Sequence, residues 1–117
     1  MPVSLAEMAA HLRRRQQQQQ ERARERAERL LALLPSAKAT LAGRHGAARV
    51  WLFGSLARGD SSATSDVDLA VEGLASELYF PALAALMELF GGPVDLVRME
   101  EASPTLAQRV RDEGREL

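Results

Sequence analysis

The chain has 117 residues, a net charge of −1 and 46% hydrophobic residues, as expected for one globular domain with a small core. It contains no cysteine, which excludes disulfide bonds, thiolate catalysis and cysteine-based zinc sites. No apolar run approaches the roughly 18 residues of a membrane span, and no signal-peptide pattern is present, so we expect a cytoplasmic protein without membrane contact.

The N-terminal part of the chain is predicted to form one long helix that ends at Pro35. Ser4 and Glu7 have the spacing of a capping box at its start. Apolar residues recur at helical spacing in two sets, and residues 13–22 between them are polar. The two sets are Leu5, Met8, Ala9 and Leu12, and then Ala23, Ala27, Leu30, Leu31 and Leu34.

A helix with a polar middle cannot bury one continuous face. We therefore expect it to project from the core or to pair with another chain, which makes a homo-oligomer possible. Its arginines are interleaved with glutamates, a pattern that favours a solvated helix over a surface that binds nucleic acid.

The rest of the chain alternates between helices and strands. Ser36 is the candidate N-cap of the next helix, and Tyr79 and Phe80 are expected on the core side of a later one. The predicted helices cover residues 37–43, 75–90 and 103–113, and the predicted strands cover residues 48–53, 66–71 and 94–97. This order predicts an α/β fold of at least three strands flanked by helices, with residues 1–35 as an N-terminal helical extension and 36–117 as the main domain.

Polar residues of two kinds lie at the ends of the first two predicted strands. Gly54 and Ser55 follow the first strand, and Asp66 and Asp68 open the second. Strand side chains alternate between faces, so the two carboxylates are expected on one face, where they repel each other unless a cation lies between them. Mg²⁺ suits such oxygen ligands and keeps substrate phosphates in its shell. The Gly-Ser turn can bring backbone N–H groups close to those phosphates, which indicates half of a phosphoryl- or nucleotidyl-transfer site.

The same residues closely resemble the signature of the DNA polymerase β-like nucleotidyltransferase superfamily, in which a Gly-Ser pair is followed by Asp-x-Asp. The longer strings Phe53–Gly59 and Ser65–Leu69 look most like the minimal nucleotidyltransferases, the smallest branch of that superfamily. The resemblance covers about residues 37–100. It implies a small mixed sheet of the nucleotidyltransferase type within 36–117.

The resemblance also implies which residues form the site. Asp66 and Asp68 match the two acids that hold two Mg²⁺ ions, and Asp95 matches the third carboxylate, which helps to hold one ion near the attacking hydroxyl. These three are the expected catalytic and metal-binding residues. Gly54 and Ser55 are expected to contact the phosphates of ATP as nucleotide donor.

Arg58 is a further candidate for phosphate contact. A loop arginine at this position can equally pair with Asp60, two residues further along the chain. Both interpretations remain open from the sequence.

The reaction implied is Mg²⁺-dependent transfer of a nucleoside monophosphate, AMP from ATP, to an acceptor hydroxyl. Minimal members of the superfamily are often encoded beside a small all-helical HEPN protein and act as its antitoxin, in some cases by attaching AMP to a tyrosine. We therefore expect a HEPN-type partner and a toxin–antitoxin role. Two alternatives remain: an antitoxin that neutralises its partner by contact alone, and a small-molecule nucleotidyltransferase that acts as a homodimer.

Overall fold

The computed structural model describes residues 2–117, and their centre is a mixed sheet of four strands. The strands are β1 (Arg49–Phe53), β2 (Val67–Glu72), β3 (Val94–Arg98) and β4 (Arg115–Glu116), in the spatial order β3-β2-β1-β4. β1 is antiparallel to both β2 and β4, whereas β2 and β3 are parallel. The predicted α/β class with at least three strands is confirmed.

Helices precede, connect and follow these strands. They are α1 (Leu5–Ala32), α2 (Leu34–Lys38), α3 (Gly54–Arg58), α4 (Tyr79–Phe90) and α5 (Pro104–Glu113). A π-helical segment, Ala39–Arg44, continues α2, and a 3-10 turn, Ser76–Leu78, leads into α4. The short helix α3 lies where only a turn was predicted, directly after β1.

The long helix α1 begins as predicted, because the hydroxyl of Ser4 accepts a hydrogen bond from the backbone N–H of Glu7 at 3.1 Å. Its 28 residues span about 42 Å, and the molecule measures 63 Å along its longest axis. Only Leu30 of this helix is fully buried, so most of α1 projects into solvent as predicted. Between residues 2 and 117, no helix is both long enough and apolar enough to cross a bilayer.

The prediction that Pro35 ends the first helix was wrong in detail. α1 ends earlier, at Ala32, and Leu33 links it to α2, in whose first turn Pro35 lies. Proline is tolerated there because a first-turn residue needs no intrahelical N–H bond. Ser36 therefore caps no helix, since Leu33 occupies the N-cap position and makes no side-chain bond.

The helix α4 begins at Tyr79 and ends at Phe90, and Gly91, with a φ of +71°, is its C-cap. The Tyr79 hydroxyl donates a hydrogen bond to the backbone carbonyl of Leu96 at 2.7 Å, which joins α4 to β3. Phe80 was expected on the same side but is 76% exposed. Consecutive helical residues point about 100° apart, so Tyr79 can contact the sheet while Phe80 faces solvent.

The core has two parts, one on each face of the sheet. Val50 and Leu52 of β1 pack with the end of α1, α2 and α4, whereas Trp51 and Phe53 pack with α5 on the other face. The buried residues of β2 alternate in the same way, with Val67, Leu69 and Val71 on the first face and Ala70 on the second. Asp68 shares the parity of Ala70 and therefore belongs to the α5 face.

Candidate active site

One end of the sheet brings together the residues that the sequence motif singled out. Asp68 lies opposite Phe53 of β1 in the antiparallel pair and opposite Asp95 of β3 in the parallel pair. Gly54 follows Phe53 directly, so it lies beside the same end of β2. Adjacent strands are about 4.8 Å apart, which puts Asp68 between Gly54 on one side and Asp95 on the other.

Gly54 lies against the carboxylate of Asp68. Its φ is +74°, and a Cβ atom added there would lie 2.1 Å from Oδ2 of Asp68. The position therefore needs glycine for two reasons, the left-handed backbone and the close approach of the carboxylate. Sequence reasoning expected a glycine that admits phosphate. The structure shows a glycine that admits Asp68, and phosphate contact by Gly54 stays a prediction.

Asp66 occupies a different position from the one predicted. The strand β2 begins at Val67, so Asp66 lies one residue before the ladder rather than inside it, and its side chain is exposed. Asp95 is also exposed, whereas Asp68 is half-buried. The three carboxylates thus occupy one sheet end, with Asp68 as the innermost.

The electrostatics of this sheet end favour a bound cation. Burial raises the pKa of Asp68, the negative charges of Asp95 and Asp66 raise it further, and Arg58 lowers it. Each effect that raises this pKa reflects an unfavourable free energy of the charged carboxylate. A divalent cation between the acids would remove that repulsion.

The chemistry of these ligands fits Mg²⁺, which prefers oxygen ligands. Within residues 2–117, no three His, Cys, Asp or Glu side chains lie close enough together to form a ready-made metal cage. Mg²⁺ is usually held by one or two carboxylates together with waters and substrate phosphates. The arrangement therefore fits an ion whose shell is completed by a nucleotide.

Ser55 and Arg58 belong to α3, which starts at this end of the sheet. Ser55 is half-buried beside Gly54, within one residue of the Asp68 contact. Arg58 is exposed, and its Nε donates a hydrogen bond to Oδ2 of Asp60 at 3.3 Å. The pairing with Asp60 that the sequence left open is thus present, and phosphate contact by Arg58 stays a prediction.

The loop between α3 and Asp66 also contacts α1, which the sequence analysis did not predict. Nη1 of Arg26 donates a hydrogen bond to the backbone carbonyl of Ser65 at 2.5 Å. Arg26 lies on the same helical face as Ala23, Ala27 and Leu30, the apolar residues of the second set. That shared face is the sequence signal that could have identified it.

The chain is similar to known nucleotidyltransferases over most of its length. Residues 36–117 match the family described as Polymerase beta, Nucleotidyltransferase. None of the curated proteins compared with the chain matches it.

Solved structures share the fold. A structure described as a proposed minimal nucleotidyltransferase is 36% identical, with a TM-score of 0.68 over 78% of this chain and 95% of that one. A crystal structure of a toxin–antitoxin with AMP-PNP is 27% identical, with a TM-score of 0.61 over 69% of each chain. A mutant of the toxin–antitoxin MntA–HpeT is 28% identical, with a TM-score of 0.62 over 71% of this chain and 69% of that one.

Proposed function

The chain belongs to the polymerase beta nucleotidyltransferase family, and we propose that it transfers AMP from ATP to a hydroxyl group of a partner protein in a Mg²⁺-dependent reaction. One observation carries the proposal. The Asp68 carboxylate lies against Gly54 on one side and opposite Asp95 on the other. A phosphate near the glycine and a metal near the acids would therefore meet at Asp68.

Each residue of the site has a role in this reaction. Asp66 and Asp68 would hold two Mg²⁺ ions, and Asp95 would help to hold one of them near the acceptor. Gly54 leaves room for the triphosphate, and Ser55 can donate from its backbone N–H and its hydroxyl. When bound, Mg²⁺ lowers the pKa of the attacking hydroxyl and neutralises charge on the leaving pyrophosphate.

The transfer step follows from these roles. The acceptor oxygen attacks the α-phosphorus of ATP, a new P–O bond forms, and the bond to the β-phosphate oxygen breaks to release pyrophosphate. Asp95 is exposed, so it can accept the proton of an incoming hydroxyl. An acceptor carried by another protein can approach this open end of the sheet.

We propose a HEPN-type protein as the acceptor, a toxin–antitoxin role and a cytoplasmic location. The resemblance to minimal nucleotidyltransferases supports this role, and so does the similarity to chains of toxin–antitoxin structures, one of them with AMP-PNP.

The test is transfer from ATP labelled at the α-phosphate. The purified protein is incubated with Mg²⁺ and labelled ATP, with and without a HEPN partner, beside the variant with both Asp66→Asn and Asp68→Asn. We expect label on the partner with wild type and none with the variant. Unlabelled partner, with ATP binding intact, would contradict protein nucleotidylation.

The same double variant tests the alternative of neutralisation by contact. If it still suppresses the toxicity of the partner in cells, binding alone is sufficient. If it folds and binds but no longer suppresses toxicity, transfer is required.

A small-molecule nucleotidyltransferase that acts as a homodimer remains the second candidate because of one observation. Leu5, Met8 and Leu12 follow one another at helical spacing on α1, and all three are at least half exposed. Pairing of this stripe between two copies would bury it.

A further inference from the structure

The helix α1 contacts the loop before Asp66 through Arg26. Arg26 is half-buried on the face of α1 that continues into the buried Leu30. Its guanidinium donates to the carbonyl of Ser65, which lies 39 positions further along the chain. A hydrogen bond from a charged donor is stronger than one between neutral groups, so the contact can fix the position of this carbonyl.

The carbonyl belongs to a loop segment that is held together internally. The backbone N–H of Ser62 donates to Oγ of Ser65 at 2.8 Å, and the N–H of Ser65 is 3.3 Å from the carbonyl of Ser62. The hydroxyls of Ser62 and Thr64 are 3.3 Å apart. Residues 62–65 therefore form a closed turn, and a contact at its last residue can position all of it.

Little else holds this turn against the rest of the molecule. Ser62, Ala63 and Thr64 are exposed, so no apolar burial anchors them. A cleft of about 660 Å³ separates α1 from the loop beside the arginine. The cleft is lined on the helix by Gln16, Gln19, Gln20, Arg22 and Ala23, and on the other side by residues 60–64. Arg26 bridges the two elements next to this open space.

The position of Asp66 depends on this turn. The carbonyl of Ser65 and the N–H of Asp66 share one planar peptide unit, so fixing the carbonyl fixes the plane from which Asp66 starts. Asp68 is held by ladder pairs on both sides, whereas Asp66 precedes the ladder. The acid least constrained by the sheet is thus the one adjacent to the arginine contact.

We propose that Arg26 is a positioning residue for nucleotidyl transfer: through the carbonyl of Ser65 it holds Asp66 in the orientation that binds the metal. This inference rests on the proposed function. It also assigns a role to α1, which lies outside the segment that matches the family. A misplacement of a site residue by about 1 Å can lower the rate on the order of 100-fold.

The experiment compares Arg26→Ala and Arg26→Lys with Arg29→Ala, an exposed arginine one turn further along α1. We expect Arg26→Ala to lower kcat on the order of 10- to 100-fold. It should also raise the Mg²⁺ concentration needed for half the maximal rate, because Asp66 is the proposed metal ligand. Arg26→Lys keeps a charged donor and should recover part of the lost kcat and part of the Mg²⁺ affinity. Arg29→Ala should behave as wild type.

A second measurement follows the loop independently of transfer. Amide hydrogen exchange at residues 62–66 should be faster in Arg26→Ala than in wild type and in Arg29→Ala, with the three proteins unfolding at similar temperatures. If wild type transfers label but Arg26→Ala matches it in rate and Mg²⁺ requirement, the inference is wrong. If wild type transfers nothing, the proposed function fails, and unchanged exchange in Arg26→Ala would then also refute the positioning of the loop.

Discussion

Substitution of Gly54 by alanine tests two requirements at this position: a left-handed backbone and room for the carboxylate of Asp68. The new Cβ would lie 2.1 Å from Oδ2, 2.9 Å from Cγ and 3.1 Å from Cβ of Asp68. The first two atoms can move away by rotation about χ1, but the Cβ of Asp68 cannot. The least costly response is therefore a rotated carboxylate with a small backbone shift.

The matched control is Gly46→Ala. Gly46 has a φ of +79°, close to the +74° of Gly54, and no atom lies within 4 Å of an added Cβ. Both substitutions should therefore lower the free energy of unfolding by about 1–2 kcal/mol, because alanine is disfavoured in the left-handed region. Only Gly54→Ala adds the displacement of Asp68, about 0.5–1.5 kcal/mol if its χ1 leaves a staggered well.

Two assays then distinguish strain from chemistry. Thermal unfolding should show a lower melting temperature for both variants, by roughly 4 °C for each kcal/mol, with the larger decrease for Gly54→Ala. Transfer of labelled AMP should fall on the order of 100-fold in Gly54→Ala and stay near wild type in Gly46→Ala. Equal stability losses together with equal activities would refute the assignment of Gly54 as the neighbour of a catalytic carboxylate.

Three further predictions concern charge, a hydrogen bond and self-association. Burial raises the pKa of Asp68 in the folded protein. Above this raised pKa, the negative charge of Asp68 lowers the free energy of unfolding. Below the ordinary pKa of 3.8, the carboxyl is protonated in both the folded and the unfolded chain, so the effect is absent. In metal-free buffer at pH 7, Asp68→Asn should melt above wild type, the difference should vanish in acid, and Mg²⁺ with ATP should stabilise wild type alone. Tyr79→Phe removes the donor to Leu96 and should cost about 1 kcal/mol in urea unfolding, whereas an unchanged midpoint contradicts that bond. If α1 pairs two copies, Leu5→Ser with Leu12→Ser should give monomers by light scattering, and a monomeric wild type would refute the homodimer.

The sequence was sufficient to predict the strands β2 and β3, which carry Asp68 and Asp95, and the strand β1 beside them. Short apolar runs bounded by glycine and polar residues marked β1, β2 and β3, and their neighbours became candidate site residues. The alternation of side chains then placed Asp68 on one face of β2, as the structure has it. Each of these inferences depends on residues close together in the chain.

Features that depend on distant residues could not be predicted. The strand β4 has two residues, too few for a periodic pattern, and it forms where the end of the chain pairs with Trp51 and Leu52 of β1. Phe80 looked like a core residue because nearly every residue of α4 is apolar, so hydrophobicity alone could not select its buried face. Helical spacing places Arg26 on the inner face of α1, but its partner Ser65 lies 39 positions away and depends on how α1 lies against the loop.

The two halves of α1 differ in a way that decides how its function can be studied. Leu30 and Leu34, on either side of the end of α1, belong to the larger part of the core, and Arg26 contacts the loop before Asp66. The first turns, with Leu5 and Leu12, are exposed. Removal of residues 1–34 would therefore open the core and release the loop together, so a loss of activity or of self-association would have several causes. Point substitutions separate them, because Leu5 and Leu12 report on pairing between copies while Arg26 reports on the site.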